Sequence, residues 1–193
     1  MVRELLAGPR RFKDLTDGLP GISTNLLAER LRSLERQGLL RRRILPPPAG
    51  SAVYELTSWG QALEPVVLEL GKWGGRLLPA SVKGDAWPSV GSCALGIIAF
   101  FRPEQAQGIN ETYELHLGNE VLQVRIRDGE LQVEQGGARK ADAVFHTDMP
   151  SYLGIFSGQI TPEQAVSTAR VRVEGDPGAL RRFLNLFGLP SSP

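Results

Sequence analysis

Three consecutive prolines, Pro46-Pro47-Pro48, followed by Ala49-Gly50, dictate where this chain must turn. Proline lacks a backbone N–H and fixes φ, so neither a helix nor a paired strand runs through them. Short strand-like runs flank the prolines, Leu39 to Leu45 and Ala52 to Leu56. Together they predict a hairpin with a stiff tip. The first run carries Arg41, Arg42 and Arg43 in succession.

The residues before the hairpin read as helices. Gly8-Pro9 breaks the first. A short segment follows from Phe12 to Thr16, then a turn at Gly18-Leu19-Pro20-Gly21. Ser23 is placed to cap the next helix, since its hydroxyl can accept an orphan backbone N–H. Leu27, Leu31 and Leu34 recur at helical spacing, and Gly38 stands where a C-terminal cap belongs. Beyond the hairpin, Thr57 can cap a longer helix with Leu63, Val66, Val67, Leu70, Trp73 and Leu77 on its apolar positions. Pro65 is expected to kink that helix. Gly71, Gly74 and Gly75 weaken it or permit close approach of another helix.

Residues 80–92 are rich in Pro, Gly, Ser and charge and read as a linker. An apolar helix follows, roughly Cys93 to Phe101. Strand-like alternation then covers Tyr113 to Leu117 and Val121 to Arg127, and Asp128-Gly129 signals a hairpin into Leu131 and Val133. Ala143 to Thr147 is another short strand. After it come two helices, the second opened by the cap and capping box of Thr161-Pro162-Glu163-Gln164. Arg170 to Glu174 is a last strand, and Asp176-Pro177 starts a last helix with Leu180, Phe183, Leu184 and Phe187 on one face. The expected fold class is α+β in two domains, residues 1–79 and 93–190.

Charge divides along the same line. Residues 1–79 carry a net +4 and residues 80–193 a net −3. A basic first half points to a polyanion partner. One cysteine makes neither an internal disulfide nor a multi-thiolate metal site. No stretch approaches the ~18–20 apolar residues of a membrane-spanning helix, and the start shows no secretory signal. The expected location is the cytoplasm.

Two short helices around a glycine turn, then a basic hairpin, suit a winged helix-turn-helix. Its second helix enters the major groove and reads bases with its N-terminal residues. Those are Ser23, Thr24 and Asn25, with Ala28 and Arg32 further along and away from the leucine face. Asparagine can pair bidentately with adenine. Arg41, Arg42 and Arg43 would grip phosphate, and the tip at Ala49, Gly50 and Ser51 is small enough to follow a minor groove. The plainer reading makes Ser23 to Asn25 only a capped helix start and the arginines a solvated edge strand.

Residues 5 to 74 also resemble the HxlR-type winged helix-turn-helix regulators. The resemblance rests on "GPRRFKDL", "GIS", "LxxRLxxLExxGL", "YELTxxGxxLxP" and "WG", in that order. It implies a homodimeric transcription regulator on an inverted-repeat operator, with the helix from Thr57 to Leu78 helping to form the dimer. Members usually carry a further N-terminal helix, often after a cysteine, so this chain starts late against that pattern. The sensing cysteine of some members has no counterpart here, and Cys93 is expected to be a buried small apolar residue.

The second half shows no catalytic arrangement, and no enzymatic activity, metal or cofactor is expected. His116 and His146 each lie on a strand without a further ligand at metal spacing. Residues 141–187 resemble the end of a sterol-carrier-protein-like domain, and 93–140 do so more loosely. The resemblance implies a five-stranded sheet covered by helices, often with an apolar tunnel. Ala169 stands where that family commonly has glycine. Candidate lining residues are Trp87, Phe101, Phe145, Tyr152, Phe156, Phe183 and Phe187, each of which could equally pack an ordinary core. The resulting expectation is a DNA-binding regulator modulated by a hydrophobic ligand in its second domain. The rival is a carrier of lipids or other hydrophobic ligands that keeps the winged helix only for dimerisation.

Overall fold

Six buried leucines bring the first elements together. Leu5, Leu15, Leu27, Leu31, Leu40 and Leu56 form one small core. They belong to α1 (Val2–Leu6), α2 (Phe12–Asp17), α3 (Thr24–Arg36) and the hairpin β1 (Leu40–Ile44) and β2 (Ala52–Leu56). This computed structural model describes residues 1–46, 50–75 and 87–188. The hairpin is antiparallel, with Leu40 opposite Leu56 and Ile44 opposite Ala52. Arg10 extends it by a third short segment: its N–H donates to the Tyr54 carbonyl at 2.9 Å and its carbonyl accepts from Tyr54 at 2.7 Å. Gly38 follows α3 at φ +72°, the left-handed conformation of a helix C-terminal cap. Pro47, Pro48 and Ala49 lie outside the described residues, as do residues 76–86, which include Leu77 and much of the expected linker.

The helix expected from Thr57 onward is two helices, α4 (Ser58–Gln61) and α5 (Glu64–Gly75). Pro65 does more than kink it. Proline has no N–H to offer the Gln61 carbonyl, and its ring collides with that carbonyl, so the first helix stops at Gln61. Pro65 then occupies the first turn of α5, where its missing donor costs nothing. Gly60 has a tertiary role. A Cβ there would collide with the Leu39 carbonyl oxygen.

The second half opens with α6 (Val90–Phe100), which starts before the expected Cys93 because Ser89 caps it, accepting from the Ser92 N–H at 3.2 Å. A five-stranded sheet follows, built from β3 (Asn110–Leu117), β4 (Glu120–Arg127), β5 (Glu130–Gln135), β6 (Ala143–Thr147) and β7 (Val171–Gly175). Its order is β5-β4-β3-β6-β7. Only β3 and β6 are parallel; the other neighbours are antiparallel. Asp128 and Gly129 both have positive φ, +45° and +85°, as a tight two-residue hairpin turn requires. The connection between the antiparallel β6 and β7 carries α7 (Met149–Phe156) and α8 (Pro162–Ser167), and α9 (Ala179–Asn185) ends the domain. That last helix starts later than Asp176-Pro177 because the Asp176 carboxylate turns back to accept from the Gly178 N–H at 2.8 Å.

Helix α6 is largely apolar all round, and none of its residues is exposed. Cys93, Ala94 and Ile97 enter the core of the sheet domain. The same helix packs against α1 and α5 of the first half. The two halves therefore share a built junction.

Candidate DNA-reading surface and the cavity behind it

The start of α3 divides into a structural and an open face. The Ser23 hydroxyl accepts from the Leu26 N–H at 3.3 Å, so it is used as the helix cap. Leu27 and Leu31 are buried, whereas Thr24, Asn25 and Arg32 are exposed and Ala28 is half-buried. Asn25 and Arg32 are seven residues apart, about two turns, and so lie on one side of the helix. Leu26, 41% exposed beside Asn25, joins this surface. Leu26 is not among the residues the sequence singles out, and its place off the Leu27–Leu31 stripe is the signal that marks it. An exposed apolar side chain there suits contact with a thymine methyl.

The three wing arginines are not equivalent. Arg41 Nε lies 2.7 Å from Glu55 Oε1, and Arg43 Nη2 lies 2.9 Å from Glu55 Oε2. Burial pushes the Glu55 carboxyl up, but the two guanidiniums outweigh it and hold the group below the usual carboxylate range. Arg42 points to the other face of the strand and has no carboxylate partner among the described residues. Beyond it, Gly50 is exposed and Ser51 half-buried.

Behind this surface, α5 carries Val66, Leu70 and Trp73 on one side, each 64–67% exposed. Its adjoining face meets α6 and α7 across a cavity of about 720 Å³. Tyr152 and Phe156, ring centroids 4.5 Å apart, form part of the α7 wall, and Trp87 also borders the space.

The remaining candidate aromatics lie elsewhere. Inside the core Phe145 stacks on Tyr113 and Phe183 meets it edge-on, at 5.6 and 4.9 Å between centroids. Phe101 pairs with Phe187 at 6.0 Å, and Phe187 borders a separate cleft of about 450 Å³. Tyr113 fills the same inward row of β3 as Leu115 and belongs to the core.

Cys93 forms part of the cavity wall but is 4% exposed. Burial pushes its thiol up to about 12, and its sulfur sits 3.6 Å from the Met149 thioether. It is a packed apolar residue, as expected. His116 and His146 stack at 4.4 Å on the outer sheet face, and each shares a hydrogen bond with a carboxylate, Glu114 and Glu174 respectively. Among the described residues no group of three or more His, Cys, Asp or Glu could hold a metal ion. None of the described helices is long and apolar enough to cross a membrane.

Two parts of the chain match known families. Residues 1–82 match the HxlR-like helix-turn-helix family. The HTH-type transcriptional regulator YvaP of Bacillus subtilis is 38% identical over 73 residues, which are 38% of this chain and 68% of YvaP. The chain belongs to the HxlR-like helix-turn-helix family. The HTH-type transcriptional regulator YodB of the same organism is 40% identical over 73 residues, 38% of this chain and 65% of YodB. This HxlR-like chain thus spans about two thirds of the length of these relatives. Its residues 101–188 match the SCP-2 sterol transfer family. Half of the chain also superposes on the sec-alkylsulfatase Pisa1 from Pseudomonas sp., with TM-score 0.47, 19% identity and 16% of that chain covered. Helix α5 lies within the HxlR-like match, and α6 lies between the two matches.

Proposed function

We propose that this HxlR-like protein is a transcription regulator that binds an inverted-repeat operator as a homodimer and responds to a hydrophobic ligand. The observation that carries this reading is the open start of α3. Thr24, Asn25 and Arg32 are exposed while the leucines behind them are buried, with a basic wing alongside. The exposed stripe of Val66, Leu70 and Trp73 supports dimerisation, since a contiguous apolar helix face left in water marks an interaction site. Two-fold symmetry would set the two α3 helices about one DNA turn, ~34 Å, apart.

The test is titration onto DNA from the protein's own upstream region, against shuffled DNA, at two salt concentrations. A specific regulator prefers its site by about 10³-fold or more. Asn25→Ala and Arg32→Ala should erode that preference, and Trp73→Glu should shift the protein to monomer in sedimentation. Equal affinity for both DNAs would overturn the reading and favour the carrier alternative, which the cavity would then serve.

A further inference from the structure

The cavity between α5, α6 and α7 belongs to neither half alone. Val67, Leu68 and Gly71 of α5 form one wall; Leu95, Gly96 and Ala99 of α6 form the floor. Tyr152, Leu153 and Phe156 of α7 close the far side. At about 720 Å³ it falls in the ~300–1,000 Å³ range of small-molecule sites.

Its glycines leave the space open. Glycine in a helix interior is about 1 kcal/mol worse than alanine. Gly75 has a packing reason, because a Cβ there would lie 2.7 Å from the Phe100 ring. Gly71, Gly74 and Gly96 have none: nothing among the described residues comes within 4 Å of a Cβ built on them. Three helical positions around one cavity thus lack side chains that would fit without collision.

The lining also defines the chemistry of an occupant. Among the described residues its one cation, Arg3, is engaged by Glu4 at 2.8 Å. The Ser89 hydroxyl is hydrogen-bonded to Glu4 and to Ser92, the Ser157 hydroxyl donates to the Gly154 carbonyl, and the Tyr152 hydroxyl donates to the Cys93 carbonyl. A charged ligand would lose its hydration and find no free counter-charge among these groups. Gln159, at the end of the α7 wall, has no side-chain hydrogen bond among the described residues.

We infer that this junction is the effector site, and that it takes an uncharged, predominantly apolar molecule carrying at most a terminal hydrogen-bonding group such as an alcohol. The inference rests on the regulator reading for its consequence and not for the binding itself. Helix α5 lines the cavity with Val67 and Gly71, while Val66, Leu70 and Trp73 on its adjoining face are exposed. An occupant therefore touches the helix whose outer face is the proposed dimer contact. Coupling follows when the occupant binds one arrangement of α5 better than another.

The test uses the full chain and the neutral fluorophore N-phenyl-1-naphthylamine, without DNA. One saturable site per chain is expected, with decanol displacing the probe and decanoate doing so at least about 10-fold more weakly. Gly96→Leu, and independently Gly71→Leu on the opposite wall, should weaken probe binding at least about 10-fold while the thermal midpoint stays level or rises. Either leucine variant, folded and binding like wild type, would overturn the location. Equal displacement by decanol and decanoate would overturn the ligand class. Decanol should then change the dimer dissociation constant by about 5-fold or more, the lower end of ordinary coupling. An unchanged constant would overturn the coupling. A protein that binds the probe but shows no DNA preference loses the regulator reading and keeps this site; the reverse result does the opposite.

Discussion

The Ser89 hydroxyl lies 2.9 Å from one oxygen of the Glu4 carboxylate and 3.0 Å from the other. Glu4 is on the first helix and only 3% exposed, and Ser89 is the N-cap of α6. Glycines make room for the contact: a Cβ on Gly91 would come within 2.8 Å of the carboxylate, and one on Gly18 within 3.0 Å. The negative charge also sits at the N-terminus of α6, where the helix dipole favours it. One carboxylate thus pins the winged-helix half to the carrier-like half. Glu4→Ala should cost about 2 kcal/mol, in the range for hydrogen bonds to charged groups. Ser89→Ala should cost about 1–2 kcal/mol through the same contact and the lost cap. Urea unfolding of both single variants and the double variant checks this. Costs that add to within about 0.5 kcal/mol would show the two residues to be independent.

Glu55 restrains two of the wing arginines. Glu55→Gln would release Arg41 and Arg43 toward phosphate, giving tighter binding to any DNA and a steeper salt dependence. Arg42→Ala should flatten the log–log salt slope by about 0.9, the value for one phosphate contact. Anisotropy titrations over a salt series read both. The idea fails if Glu55→Gln leaves the slope unchanged.

Gly60 is tied to its place by the Leu39 carbonyl rather than by its backbone angles. Gly60→Ala should therefore destabilise by about 3 kcal/mol or more, because the obstacle is backbone that cannot rotate away. A thermal melt of the first half's transition is the measurement, and a near-neutral variant would contradict it.

Ala169 poses the opposite case. It adopts φ +54° in the turn between α8 and β7, a conformation that costs a non-glycine residue roughly 1–2 kcal/mol. Ala169→Gly relieves that strain but enlarges the freedom of the unfolded chain. The net expectation is a gain of about 0.5–1 kcal/mol, seen as a higher urea midpoint. A loss would mean that the unfolded-state term prevails.

Asp148 gives the stability a pH dependence. It caps α7 by accepting from the Ser151 N–H at 2.7 Å. Hydrogen bonding to Ser151 lowers its carboxyl below the usual range, against a smaller upward push from burial. A carboxyl depressed on folding contributes stability above its unfolded pKa and loses it as pH falls through the folded one. Asp148→Asn keeps a capping side chain without the charge. Wild type should therefore exceed the variant in stability at neutral pH, with the gap closing below the carboxylate range. A gap that persists there would assign the effect to shape alone.

The local elements were legible because caps and turns act within a few residues. Ser23 and Leu26, Thr161 and Gln164, and Asp128 and Gly129 announce themselves at fixed offsets. The open face of α3 was legible for the same reason: Leu27 and Leu31 claim one side and leave Asn25 and Arg32 on another. What the amino-acid sequence determined by itself was thus the order of the elements, the helix-turn-helix with its basic wing, and the carrier-like second half. Tertiary structure alone decided that Glu55 engages Arg41 and Arg43, that Phe145 and Phe183 go to the core while Tyr152 and Phe156 face a cavity, and that Glu4 meets Ser89. Those outcomes depend on which faces of helices distant in the chain come to rest against one another. Periodicity states that a face is apolar, and only packing states what covers it.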